Sequence, residues 1–298
     1  MKDIDKIIEN LKNEIVETQE DIKKTESLER LKEIAKVYKG EDKLISFADI
    51  AERIKNEKDE VRFMSGFSGL DDLLKGFRPQ QLIVVSALTG SGKTSFLMDM
   101  TTRMKDMHPL WLPFEEGAEE LVRKFLERGE EPPKAFTPDN MISNTLEWIE
   151  SKIVESIAKY DTKMVFIDQL DFIVAMRGND HHLQVGETMR TLKDLAKKWH
   201  IVIFIICHLT KAKMDTQPTI EDLKGSSSIG QEADSVILLW REAKREMGSM
   251  TLTDNVNVSV QKNRRHGKTG NVKMRFENGH FIEYDWSVDD PETSLYNF

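Results

Sequence analysis

From Gln81 onward the chain alternates short, unbroken apolar runs with longer amphipathic stretches. The apolar runs cover residues 82–86, 110–114, 164–168, 201–207 and 236–240. Between them lie stretches of helical pattern near 93–105, 117–128, 144–160 and 184–199. A short run without apolar–polar alternation fits a strand covered on both faces. Helical stretches between such runs predict the crossovers of a parallel sheet, hence an α/β class. Beyond residue 250 the period changes to two, at Val256, Val258 and Val260 and again at Val272, Met274 and Phe276. With Asn278-Gly279 as a turn, this predicts antiparallel strands closing one sheet edge.

The first 60 residues have another character. They hold 13 basic and 17 acidic residues. Apolar positions recur at Ile4, Ile8, Leu11, Ile15 and Ile22, then at Leu28, Leu31, Ala35 and Tyr38 before Gly40. Two helical stripes in so charged a context predict a partly exposed helical arm over 1–45, or an arm for a partner. Ser46-Phe-Ala-Asp49 has the form of a capping box, and it opens a helix carrying Phe47, Ile50, Ala51 and Ile54 toward about Val61. The expected organisation is a helical arm at 1–45, a linker helix at 46–63, a core at 64–284 and a tail at 285–298.

Composition narrows the classes. The chain has 298 residues, enough for a sizeable core without staples. Its 43 basic and 52 acidic residues give a net charge of −9, which excludes a surface coated in basic charge but not a local basic channel. A single cysteine, Cys207, rules out a disulfide framework and a cysteine-rich zinc site, and reads as plain core. The longest clean apolar run is seven residues, far short of a membrane span, and the start is charged from Lys2 with no signal-peptide core. The expectation is a protein of the cytoplasm or another reducing compartment.

Candidate chemistry begins at Ala87-Leu-Thr-Gly-Ser-Gly-Lys93-Thr94, between an apolar run and a helical stretch. That is the context of a P-loop. Gly90 and Gly92 let backbone amides turn toward phosphate oxygens, Lys93 reaches the outer phosphates, and the Thr94 hydroxyl ligates Mg²⁺. The cradle as a whole is Gly90, Ser91, Gly92, Lys93, Thr94 and Ser95. Ala87 replaces the first glycine of the strict pattern. Asp168 ends an apolar run, where a carboxylate is costly unless a cation is near, and is expected to hold Mg²⁺ from a strand neighbouring the P-loop strand. Glu115 and Glu116 follow the second run, expected beside the P-loop strand, where a carboxylate can orient the attacking water.

Taken in order, these segments resemble the DnaB-type hexameric replicative helicases of superfamily 4, which have a RecA-like core. The resemblance covers about residues 46–284 and is nearest to the helicase halves of phage primase-helicases and the mitochondrial replicative helicase. Ser65-Gly-Phe-Ser-Gly-Leu-Asp-Asp72 resembles the start of that core, and the Ala-first P-loop is the family's form. The resemblance implies ATP or another NTP or dNTP with Mg²⁺ as cofactors. It implies Glu115 as the catalytic carboxylate, Asp168 as the Mg²⁺ carboxylate and His208 as the γ-phosphate sensor. The stretch 222–234, Asp-Leu-Lys-Gly-Ser-Ser-Ser-Ile-Gly-Gln-Glu-Ala-Asp, is similar to the loop and helix that line the ring's channel and grip one DNA strand. Lys211, Lys213, Lys224, Gly225, Ser226 and Ser227 are the implied DNA contacts. Lys262 and Arg264 match the family's Lys-x-Arg pair, with Arg264 (or Arg265 beside it) as a finger into the neighbouring subunit's site. Arg241 and Phe276 fall where the family packs the nucleotide base.

The function so implied is an NTP-driven hexameric ring moving 5′→3′ on single-stranded DNA to unwind a replication fork. Implied partners are the DNA strand, other copies of the chain, and a replicative polymerase, single-strand-binding protein and primase. A RecA- or RadA-type recombinase shares the P-loop and the Gly/Ser loop, and a non-catalytic loader would share the fold. The ordered 222–234 stretch, the Lys-x-Arg pair and the joint presence of Lys93, Asp168 and Glu115 favour the helicase. The chain also departs from the family. Residues 1–45 do not resemble the globular N-terminal domain of bacterial members, no primase domain or zinc ribbon is evident, and Asp171 stands where a neutral polar residue is common. The acidic tail at 285–298, with Trp286, Leu295, Tyr296 and Phe298, reads as a solvated end or as a partner peptide, and it resembles the tails that imply contact with a polymerase and a single-strand-binding protein.

Overall fold

The computed structural model describes residues 25, 44–56, 61–174, 181–209, 216–246 and 249–284. The expected arm over 1–45, apart from Thr25, Leu44 and Ile45, and the tail over 285–298 lie outside these residues. So do Lys211 and Lys213. The chain divides into two units, Met1–Glu60 and Val61–Phe298.

In the first unit, helix α1 (Phe47–Asn56) starts at the capping box. The Asp49 amide donates to the Ser46 hydroxyl at 3.1 Å, and the Asp49 carboxylate accepts from the Ser46 amide at 3.3 Å. No residue of α1 is buried.

The second unit is built on one eight-stranded sheet. Its strands are β1 (Leu82–Ala87), β2 (Leu110–Pro113), β3 (Met164–Asp168), β4 (Val202–His208), β5 (Ser235–Glu246), β6 (Ser249–Asn263), β7 (Gly270–Glu277) and β8 (His280–Glu283). The spatial order is β2-β3-β4-β1-β5-β6-β7-β8. Pairing is parallel from β2 to β5 and antiparallel from β5 to β8. The antiparallel edge is therefore as the period-two pattern predicts, and β7 turns into β8 through Asn278 and Gly279, both at positive φ.

The unbroken apolar runs are explained by a core on each face. Along β1, Ile83, Val85 and Ala87 enter one core, while Leu82 and Val84 enter the other. Along β4, Val202, Phe204 and Ile206 face one side, and Ile203, Ile205 and Cys207 the other. Helices α2 (Ser68–Leu74), α3 (Lys93–Arg103) and α4 (Ala118–Glu127) cover the first face through Leu70, Phe96, Leu97, Leu121 and Phe125. Helices α5 (Leu146–Tyr160) and α7 (His181–Lys198) cover the second through Ile149, Ile153, Met189 and Leu192. A short helix, α6 (Leu170–Ile173), follows β3, and α8 (Ser226–Glu232) precedes β5. Cys207 is buried, and burial pushes its thiol pKa up, as befits a core residue.

The strand order corrects one expectation. The P-loop strand β1 lies between β4 and β5, so neither β2 nor β3 is its neighbour. The Glu115 and Asp168 strands are three and two places away from β1. Apolar periodicity reports that a strand is buried, but not beside which strand.

Candidate nucleotide site at the strand ends

The parallel strands run the same way, so the residues that end them gather on one rim of the sheet. Ala87 ends β1 and is in register with His208 at the end of β4. Pro113 at the end of β2 pairs with Asp168 at the end of β3. The Glu115 amide donates to the Asp168 carbonyl oxygen at 3.0 Å, which holds the turn after β2 over the end of β3. This tie brings Glu115 to the rim without adjacency to β1.

The P-loop turns through two glycines at positive φ, Gly90 at 78° and Gly92 at 86°. A side chain at Gly92 would meet the rings of Phe281 and Phe276, whereas nothing stands within 4 Å of a Cβ placed on Gly90. The loop is thus closed on its aromatic side and open at Gly90. Ser91 is buried, and its amide donates inward to the Leu88 carbonyl at 3.1 Å. Lys93 and Thr94 open α3, and Ser95 follows in its first turn. The Lys93 ammonium donates to the Ala87 carbonyl at 3.4 Å. Burial pushes its pKa down, while Asp168 and Glu115 oppose that shift.

Thr94 and Asp168 form the polar centre. The Thr94 hydroxyl donates to Oδ2 of Asp168 at 2.7 Å. The other carboxylate oxygen is buried with no hydrogen-bond partner. Burial pushes the Asp168 pKa up to about 6; the Thr94 hydrogen bond opposes this, and the Glu115 and Glu116 charges add to it. An orphaned, buried carboxylate oxygen beside a threonine hydroxyl is a donor set of the hard-oxygen kind that suits Mg²⁺. The loop, open at Gly90 and followed by Lys93, suits the phosphates that accompany it. No cluster of three or more His, Cys, Asp or Glu side chains that could hold a metal occurs among the described residues.

Glu115 is exposed, and its charge acts on Lys93, Asp168 and His208. Its neighbour Glu116 is paired with Lys124 instead. His208 ends β4; burial pushes its pKa down and the Lys93 charge adds to this, while Asp171 and Glu115 oppose it. Arg241 lies 4.9 Å over the Phe276 ring, and that ring stands beside Gly92, so both residues expected to pack a base stand near the loop. Phe281 completes this wall, 5.0 Å from Phe276. It was not singled out from sequence, although an aromatic just past Asn278-Gly279 was a signal for it.

Of the implied DNA contacts, residues 224–227 lie between β4 and β5, and the finger residues Lys262 and Arg264 lie at the end of β6. Gly225 takes positive φ and starts α8, so the serine run at 226–228 is helical rather than an open loop. Lys224 donates its amide to the His208 carbonyl at 3.1 Å, and Leu209 bridges Leu223. Lys262 donates to the carbonyl of Ala233 at 2.7 Å, and also to that of Gly230. Arg264 reaches the Gln231 carbonyl and lies 3.5 Å from Asp234. Both basic residues therefore cap the end of α8 within the single chain. Asp234 is a further anchor: its carboxylate accepts from the Leu82 amide at 2.8 Å and pairs with Lys193 at 2.5 Å, tying β1 and α7 to the start of β5.

A family profile described as DnaB-like helicase C terminal domain matches residues 63–131 and 131–284. The replicative DNA helicase DnaB of Mycoplasma genitalium is 28% identical over 269 residues, covering 76% of this chain and 57% of that protein. The Haemophilus influenzae DnaB helicase is 24% identical, covering 95% of this chain and 67% of the relative. The chain thus spans little more than half the length of the Mycoplasma relative. Among solved structures, the ATPase domain of G40P superposes with a TM-score of 0.66 at 21% identity, covering 80% of this chain and 97% of that domain. A DnaB-like replicative helicase, studied with its interactions with primase, superposes at 0.68 and 21% identity, covering 88% of this chain and 72% of that one. The fold is RecA-like, and the chain belongs to the DnaB-like helicase C-terminal domain family.

Proposed function

We propose that this chain is the motor of an NTP-driven hexameric helicase that translocates on single-stranded DNA and unwinds duplex at a replication fork. The observation that carries this is the joining of two sites by one strand end. His208 stands at the nucleotide rim, and its own carbonyl accepts the amide of Lys224, the first basic residue of the 222–234 stretch.

In this reading ATP, or another NTP or dNTP, lies along the P-loop with its phosphates on the amides after Gly90. Lys93 balances the outer phosphates, and Thr94 with Asp168 would hold Mg²⁺, which neutralises charge on the transferring phosphoryl group. Glu115 orients the attacking water and accepts its proton. Arg241 and Phe276 flank the base. Lys224 and the N-terminal turn of α8, with Lys211 and Lys213, take DNA phosphates. Arg264, with Lys262 beside it, completes the site of the next subunit. Splitting each site between copies makes hydrolysis depend on the ring. A 5′→3′ direction, a reducing cytoplasm, and contacts with primase, polymerase and single-strand-binding protein belong to the same proposal. No helix among the described residues is long and apolar enough to cross a membrane.

The test is NTP hydrolysis with and without single-stranded DNA, alongside unwinding of forks bearing a 5′ or a 3′ tail. Stimulated hydrolysis and unwinding dependent on the 5′ tail are expected. Electron microscopy with nucleotide and DNA should show closed rings. Filaments would favour the recombinase, and nucleotide binding without hydrolysis would favour the loader.

A further inference from the structure

Asp171 sits in the first turn of α6, three residues past Asp168, and three elements meet at its carboxylate. Oδ1 accepts from the Lys224 ammonium at 2.8 Å. Oδ2 lies 4.0 Å from Nε2 of His208, the residue that ends β4. The Asp171 side chain is only 11% exposed. Lys224 and His208 are already joined through the backbone at 3.1 Å, so Asp171 adds a second, side-chain tie between the same two residues.

We propose that Asp171 is a positioning residue that couples occupancy of the DNA site to the orientation of His208 at the nucleotide site. The proposal rests on the helicase reading. In the absence of DNA the carboxylate holds Lys224. A DNA phosphate competes for the same ammonium. A carboxylate so poorly hydrated is costly to leave without a partner. The imidazole is the nearest replacement, and closing 4.0 Å to hydrogen-bond distance takes a movement of about 1 Å. A hydrogen bond to one ring nitrogen fixes the tautomer and direction of the other. Release of Lys224 is thereby converted into a set orientation of the sensor ring.

This account makes a prediction opposite in sign to that of a purely structural ion pair. If Asp171 restrains Lys224, removing its charge strengthens DNA binding while weakening the response to DNA. A structural pair, once broken, loosens the loop and weakens binding.

The experiment uses the full chain as wild type, D171N, K224A and the double variant. Affinity for a labelled oligothymidylate is read by fluorescence anisotropy, and the fold-stimulation of NTP hydrolysis by the same oligonucleotide is read in parallel. D171N is expected to bind about threefold tighter, in line with loss of one part-buried competing ion pair. Its fold-stimulation should drop to less than half that of wild type. In the K224A background, adding D171N should leave affinity unchanged, which separates this mechanism from a general gain of positive charge. D171E should recover part of the stimulation. Equal tightening in both backgrounds, or wild-type stimulation in D171N, overturns the proposal. Should D171N fail to fold, D171S takes its place with the same expected outcome, and failure of both to fold makes Asp171 structural and also overturns it. A wild-type protein that DNA does not stimulate would instead overturn the helicase reading itself.

Discussion

The Thr94 hydroxyl spends its hydrogen on one oxygen of Asp168, and the second oxygen is buried without a partner. The pair is complete for a cation and incomplete without one. This has a consequence for stability against pH. Asp168 has a folded pKa of about 6 against an ordinary value of 3.8, chiefly through burial, so the folded chain binds more protons than the unfolded chain between those values. Stability without ligand should therefore decline as pH rises from about 4 to about 6 and level off above that. Asp168→Asn should remove this slope and be the more stable protein at about pH 8, by at most roughly 3 kcal/mol. Mg²⁺ with nucleotide should reverse the ranking there, because the variant has lost the carboxylate. Urea melts at about pH 4.5, 6 and 8, with and without Mg²⁺ and nucleotide, measure each part.

Lys93 and Glu115 have different environments and should fail differently. Lys93 is half-buried against the loop carbonyl, whereas Glu115 is exposed at the rim. Lys93→Ala should lose both nucleotide affinity and turnover. Glu115→Gln should keep nucleotide binding and lose hydrolysis by about 10²-fold or more, as removal of a general base does. Equilibrium binding of a fluorescent nucleotide and steady-state hydrolysis separate the two. A Glu115→Gln protein hydrolysing near the wild-type rate would show that another group orients the water.

Arg264 is turned onto its own chain, against Asp234 and the Gln231 carbonyl, with its side chain 46% exposed. A finger that serves the next subunit must exchange these contacts for a phosphate. Arg264→Ala should lose on the order of 10³-fold in hydrolysis, the scale of arginine-finger losses, with little change in nucleotide affinity of the single chain. Mixing it with Lys93→Ala subunits should restore part of the activity, since some junctions then join an intact Lys93 to an intact Arg264. Mixed oligomers confirmed by tagged pull-down but wholly inactive would argue against a shared site. Arg265→Ala in the same assay decides between the two arginines.

The parts of this molecule legible in its sequence are those where local pattern and chemistry coincide. The run ending at Ala87, the Gly90–Gly92 turn and the helix from Lys93 form one continuous segment, so spacing alone places them. The hairpin at Asn278-Gly279 is legible for the same reason, since two residues at positive φ need those residue types. Strand order was not legible, because β4 inserts between β1 and β3 only through long crossovers. Asp171 was visible as an odd residue without an explanation. Its account depends on Lys224, which lies 53 residues away in sequence. Asp234 was part of a recognised stretch, but its role in holding Leu82 and Lys193 is also long-range. The serine run at 226–228 reads as a loop by composition, yet Gly225 starts a helix there.

Helix α1 offers the last test. Its apolar residues Phe47 and Ile54 are 91% and 62% exposed, and no residue of the helix is buried. Its capping box nonetheless forms, so the helix is locally specified. Burying Phe47 and Ile54 against a neighbouring subunit would stabilise a ring at about 25 cal/mol per Å² of apolar area. Deleting residues 1–62 should leave a folded monomer that still binds nucleotide but barely hydrolyses it, because Arg264 then has no neighbouring site to enter. Deleting only residues 1–40 should be milder, since α1 is kept. A Phe47→Ser, Ile54→Ser double substitution should reproduce the larger deletion without shortening the chain. Sedimentation velocity at micromolar protein, with and without nucleotide, distinguishes ring from monomer. Rings formed by the 1–62 deletion would show that the core assembles through other surfaces and that α1 serves a different partner.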